Sequence, residues 1–182
     1  MALTSAQIVI VKADILANSD MNTQPNNSDG DYDIAALYNS LASPDFFAWN
    51  HTAPIDTIMD NITWANMTPS DATDATVLWG NRSLACQGKQ LNVQTMLIGR
   101  TTFNATKASL RNGLQDALQD YPSGLLGALK QAGWANVKLA LSKAVTRIEK
   151  LLSTGTGTQA NPADLGYDGP ISLGEIRIVR DS

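Results

Sequence analysis

Six apolar residues, Trp134, Val137, Leu141, Val145, Ile148 and Leu152, recur at steps of three and four along the chain. That spacing puts them all on one face of an α-helix, and no strand can present them together. Lys130, Lys138, Lys143, Arg147 and Lys150 fall on the other faces. The run therefore predicts one long core helix, packed against two neighbours, and it directs the fold toward helices.

Further helices announce themselves by their ends. Thr4 and Gln7 form a capping box, and Leu3 with Ile8 can close a hydrophobic staple. Ile8, Val11, Ile15 and Leu16 then follow at helical spacing until Asn18-Ser19-Asp20. A second helix is expected to begin near Asp31 or Asp33, with Ile34, Leu37 and Tyr38 facing inward. Between Ser43 and Trp64, two prolines and the aromatics Phe46, Phe47, Trp49 and Trp64 predict turns or short strands. Ile55, Ile58 and Met59 allow a short helix there, and aromatics this dense are expected to fill a core.

From Ser70 the pattern is helical again, through Val77, Leu78, Trp79, Leu84 and Ala85, with Gly80 weakening its middle. Gly88 is expected to separate this helix from a shorter one carrying Leu91, Met96, Leu97 and Ile98. Phe103, Leu110, Leu114, Leu118 and Tyr121 form a further stripe that Pro122 stops. After Leu152 come some twenty residues of Gly, Thr, Ser, Pro and Asn, long for a helix connection. Ser172 with Glu175 then repeats the capping box, and Ile171 with Ile176 the staple. The expected fold is mainly α: a helical bundle over residues 1–152, with an irregular aromatic-rich insertion at about 43–66. Residues 153–182 are expected to form a flexible connector and an extended C-terminal docking arm.

Motifs that could carry chemistry do not complete themselves. Thr154-Gly155-Thr156-Gly157-Thr158 lacks the lysine, the preceding strand and the following helix of a phosphate loop, so it reads as a connector. A calcium loop begun at Asp29 needs Gly at its sixth place and Glu at its twelfth, where Ile34 and Ser40 stand. Asp29, Asp31 and Asp33 accordingly read as capping and solvated acids. His51 is the only histidine and Cys86 the only cysteine, which excludes an internal disulfide and leaves no zinc set. Asp56 and Asp60 lie one helical turn apart and read as two solvated acids. Asn-x-Ser/Thr recurs at Asn26, Asn50, Asn61, Asn66, Asn81 and Asn104, a matter of Asn/Thr-rich composition here. No basic leader or spanning run of eighteen apolar residues is present, so neither export nor a membrane partner is expected. No enzyme activity and no cofactor are expected.

Charge is divided along the chain. Residues 1–80 hold one base against ten acids, and residues 81–182 hold twelve bases against seven. Either one domain sets these charges side by side, or an acidic face of one copy meets a basic face of the next, as in a head-to-tail ring. Residues 82–150 carry ten bases against three acids, yet the acidic first portion would repel nucleic acid, so DNA binding is not expected as the main task.

The stretches LTSAQIVIVKADILANSD, QPNNSDGDYDIAALYNSLASPDFFAWN and TRIEKLLSTGTGTQANPADLGYDGPIS resemble those of a family of small phage-encoded virion proteins. The resemblance touches both ends and is weakest between about Thr52 and Leu125. It implies a structural part of a tailed-phage particle, and it brings no catalytic residues with it. The helical bundle, the loose arm and the divided charge place that part at the neck, as a head-to-tail connector (adaptor). Such a connector would be a homo-oligomeric ring of about twelve copies beneath the portal protein and above a downstream tail or nozzle protein. DNA would pass through it only as cargo, and the chain would be in the virion, after assembly in the host cytoplasm. The expected contact residues are Lys138, Lys143, Arg147, Lys150, Thr154, Thr156, Thr158, Ile171, Ile176, Arg177, Val179 and Arg180. Another virion role (decoration or tail termination) and a non-virion enzyme or assembly chaperone are the alternatives.

Overall fold

A computed structural model describes residues 2–67, 79–118 and 133–182. The chain is mainly α-helical with a few short strand pairs, and it divides into two compact units. The first joins residues 1–49 to 144–182; the second is the intervening 50–143.

The first unit begins with α1 (Ser5–Ala17), whose capping box forms as expected: Thr4 N–H donates to Gln7 Oε1 at 2.9 Å. The amide of Gln7 also donates to the Gly166 carbonyl at 2.8 Å, so one cap fastens both ends of the unit. Asn18 ends α1 and caps the short α2 (Ser19–Asn22). Asn27 caps α3 (Ser28–Asn39), which starts a few residues earlier than the acids suggested. Strand β1 (Phe47–Trp49) follows, and α8 (Arg147–Leu151), β5 (Ser153–Thr154), β6 (Asp164–Leu165) and α9 (Leu173–Asp181) complete the unit. Val11, Ile15, Ile34, Tyr38, Ile148 and Leu152 share one core with Tyr167, Ile171, Ile176 and Val179.

The C-terminal portion is therefore no loose arm. β5 and β6 pair antiparallel, with Ser153 opposite Leu165, and the Thr-Gly-Thr-Gly stretch runs on from β5 into the turn between them. The turn lies along β1: Phe47 N–H donates to the Gly157 carbonyl at 2.8 Å, and Ala163 N–H to the Phe47 carbonyl at 2.9 Å. Gly157 has φ of +65° and a Cβ there would collide with the Phe46 ring, so glycine serves close packing at this point. The division expected at 152/153 is replaced by boundaries at 49/50 and 143/144. Four large apolar residues beyond 165 make the difference, because they gain far more from the shared core than from water.

The long helix predicted from Trp134 to Leu152 is also broken. It becomes α7 (Trp134–Ala140), strand β4 (Ser142–Ala144) and α8, and it spans the boundary between the units. Thr146 and Glu149 form a capping box of their own, with Thr146 N–H donating to Glu149 Oε2 at 2.9 Å. That motif was the available signal for a fresh helix start. Val137, Leu141, Val145, Ile148 and Leu152 are all buried nonetheless, so the apolar stripe marks burial and not one continuous helix.

In the second unit, β2 (Ala53–Pro54) pairs with β3 (Thr102–Phe103), and α4 (Ile55–Asn61) packs on α7. α5 (Trp79–Leu97) runs unbroken through Gly88, against the expected division, and packs on α6 (Ala108–Leu118). A single glycine costs a helix interior about 1 kcal/mol, too little to stop one of this length. The inner face of α5 carries Lys89, Val93 and Leu97, whereas Leu84, Leu91 and Ile98 point outward. Phe103 is buried from its strand, and Leu114 and Leu118 from α6. The expectations for Val77, Leu78 and Tyr121 lie outside the described residues. Segment 43–64 is short strands and a short helix, as expected, but none of its four aromatics is buried; Ala48 and Ala53 are.

Candidate interaction surface

Asp31 organises one side of the first unit. Asn27 Oδ1 accepts from Asp29 N–H and Gly30 N–H at 3.1 and 3.0 Å, which sets the phase of α3 and turns Asp31 inward. Its carboxylate, only 5% exposed, takes Arg177 Nη2 at 2.7 Å and Arg180 Nη1 at 2.9 Å. Arg180 also donates to the Gln24 carbonyl at 3.0 Å and Arg177 to Asn26 Oδ1 at 3.0 Å. Asp31 is thus a buried anion held by two arginines, not the solvated cap that its neighbours suggested. A carboxylate this secluded is stable only when paired so.

A second cluster lies across α1, α3 and α8. Tyr38 Oη donates to Asp14 Oδ2 at 2.9 Å, and Arg147 Nη2 reaches the same oxygen at 3.3 Å. The Arg147 guanidinium stands 5.7 Å from the Tyr38 ring centroid. Burial, and then the hydrogen bond to Asp14, push the Tyr38 phenol far above its ordinary range. Lys150 Nζ approaches the carbonyls of Ser43 and Pro44 at 3.4 and 3.3 Å and the Phe46 ring at 5.6 Å. An open groove runs between these groups, with Leu41 beside it 72% exposed.

The third cluster closes α9. Ser172 N–H donates to Glu175 Oε2 at 2.9 Å, the expected capping box, and Tyr167 Oη donates to the Pro170 carbonyl at 3.0 Å. Burial and the neighbouring Glu175 push the Tyr167 hydroxyl up to about 12. Burial opposes the charge on Glu175, yet donors from Ser172 and Tyr167 hold its carboxyl below the usual range. Glu149, itself buried, accepts from Gly169 N–H at 3.0 Å, and Asn39 exchanges two hydrogen bonds with Ile171.

The twelve expected contact residues do not form one surface. Ile171, Ile176 and Val179 are core residues, and Arg177 and Arg180 are engaged by Asp31. Ile171, Ile176 and Val179 therefore pack inside their own unit, and the two guanidinium groups are directed at Asp31. Arg147 and Lys150 line the groove on α8; Thr154, Thr156 and Thr158 are exposed along the hairpin. Lys138 and Lys143 belong to the second unit.

A further surface lies on α1, and none of the twelve expected contact residues belongs to it. Ala6, Val9, Ile10, Ala13, Leu16 and Ala17 fall on one side of this helix and are all exposed, Val9 by 68% and Leu16 by 59%. Leu16, which follows Ile8, Val11 and Ile15 at helical spacing, lies on this outer side. The polar Lys12 and Asp14 sit on the flanks, so the helix turns an apolar face to solvent opposite the one in its core. A helix with apolar residues on two opposite faces is ordinarily covered on both. That composition, S-A-Q-I-V-I-V-K-A-D-I-L-A, was the legible signal.

Among the described residues no group of three His, Cys, Asp or Glu could hold a metal, and no helix is long and apolar enough to cross a membrane. His51, Asp56 and Asp60 are exposed. No protein-family model, curated protein or solved structure matches the chain.

Proposed function

We propose that this chain is a structural protein of a tailed-phage particle, a head-to-tail connector whose copies form a ring beneath the portal, through which DNA passes. The observation that carries the self-assembling part of this reading is the apolar outer face of α1, which suits a helix completed by a neighbour. The sequence resemblance at both ends of the chain supports the virion setting. The means of assembly differs from a reaching tail, since the C-terminal residues are committed to their own unit. Charge still suits head-to-tail contact: the first unit holds five bases against eleven acids, net −6, and the second eight against six, net +2.

Quantitative mass spectrometry of purified particles tests the reading. A connector is expected at about a dozen copies per particle, the stoichiometry of one ring. Hundreds of copies would indicate a shell decoration, and absence from the particle would indicate an enzyme or chaperone; either result overturns the proposal.

A further inference from the structure

α5 carries a second exposed apolar feature. Leu84 and Leu91 stand seven residues apart on it, and Ile98, seven further on, is the first residue past its end, where its N–H still donates to the Gln94 carbonyl at 2.8 Å; the three are 70%, 62% and 77% exposed. Seven residues is two helical turns, so the three form a straight ridge of separate knobs, with Gly88 and Thr95 between them. The ridge lies opposite the buried Lys89, Val93 and Leu97. Its exposed neighbours Gln87, Asn92 and Gln94 carry no charge.

The outer face of α1 has the complementary form. It is broad, and Ala6 and Ala13 are also seven residues apart, leaving hollows bordered by Val9, Ile10 and Leu16. The two features match in length: about 20 Å for the thirteen residues of α1 and about 21 Å from Leu84 to Ile98, at 1.5 Å per residue. They belong to different units, one of net charge −6 and one of +2. Pairing α1 with α1 would set two strongly negative units together, whereas pairing α1 with α5 joins opposite signs.

We infer that the occupant of the α1 outer face is the Leu84–Leu91–Ile98 ridge of a second copy of this chain. The inference rests on the self-assembly reading above and gives it a contact. Because each copy offers both a face and a ridge, the contact is heterologous and propagates from copy to copy, closing as a ring where the rotation allows.

Sedimentation velocity of the full chain, wild type and two variants, over roughly 1–500 µM covers the range where a weak specific contact is populated. Ala13→Glu blocks the face and Leu91→Glu the ridge; Ala13→Gln and Leu91→Gln replace them if thermal melts show misfolding. Wild type is expected to grow past a dimer, while each variant alone stays monomeric. Mixed one to one, the variants retain one intact face and one intact ridge between them, so a heterodimer and nothing larger is expected. If both variants assemble as wild type does, self-assembly stands and this contact is overturned. A homodimer of Leu91→Glu alone overturns it too, in favour of α1 against α1. Wild type monomeric throughout the range overturns both readings.

Discussion

Arg180 Nη1 lies 2.9 Å from Asp31 Oδ1, and the two side chains are only 12% and 5% exposed. The pair fastens α9 to α3 beneath the surface, with Arg177 on the other carboxylate oxygen at 2.7 Å. Removing one partner of a buried pair strands the other charge, at a cost of about 3–5 kcal/mol. Asp31→Ala is accordingly expected to lose that much stability in urea unfolding. Arg177→Ala, whose side chain is 37% exposed, is expected to lose under about 1 kcal/mol. Equal losses for the two variants would contradict the buried character of the pair.

Deleting residues 154–182 is expected to unfold the first unit. It removes Tyr167, Ile171, Ile176 and Val179, each at most 2% exposed, from the core. Full burial of such side chains contributes about 1.5–3 kcal/mol apiece, which together approaches the whole stability of a small domain. Circular dichroism should show lost helix and no cooperative melt. A truncated chain that still melts cooperatively, at an unchanged temperature, would mean that the C-terminal portion is dispensable after all.

Two glycine substitutions should act in opposite directions. Gly157→Ala sets a Cβ into the Phe46 ring at φ of +65° and is expected to cost about 1–3 kcal/mol. Gly88→Ala meets nothing within 4 Å in the interior of α5, and removing a helical glycine should add about 0.5–1 kcal/mol. Denaturant melts of both variants give the signs directly, and a destabilised Gly88→Ala would speak for a helix broken there.

Stability should fall at both extremes of pH for identifiable reasons. Tyr167 is held at about 12 against an ordinary 10, first by burial and then by Glu175. Its contribution is intact below pH 10 and is lost as pH rises from 10 through 12. Tyr38 is shifted in the same direction. Glu175 is shifted the other way, so its share is present above pH 4.5 and lost as pH falls. Tyrosinate absorbance followed with circular dichroism should show Tyr38 and Tyr167 ionising only as the fold is lost. Tyr167→Phe should flatten the alkaline loss between pH 10 and 12.

Much of the first unit was legible one segment at a time. The cap boxes Thr4–Gln7 and Ser172–Glu175 are legible in the sequence because each is settled within four residues by its own side chains. The proline-broken segment 43–64 followed from equally local sterics. The break at Leu141–Thr146 is masked in the sequence because the apolar spacing continues across it, although Thr146 and Glu149 hold the signal. Of the candidate surface, the basic Arg147 and Lys150 stand out in the sequence and line a groove, while the outer face of α1 is marked only by the apolar residues on both sides of its helix.

The amino-acid order by itself determined where helices begin, which residues avoid water, and that acids crowd one end of the chain and bases the other. It did so through forces acting over a turn or two of backbone. Only the tertiary structure decided that Asp31 meets Arg177 and Arg180, about 150 residues away, and that the Thr-Gly-Thr-Gly stretch lies in a packed hairpin. Burial and charge pairing act between whatever groups the folded chain brings within a few ångströms, and sequence distance does not enter into it.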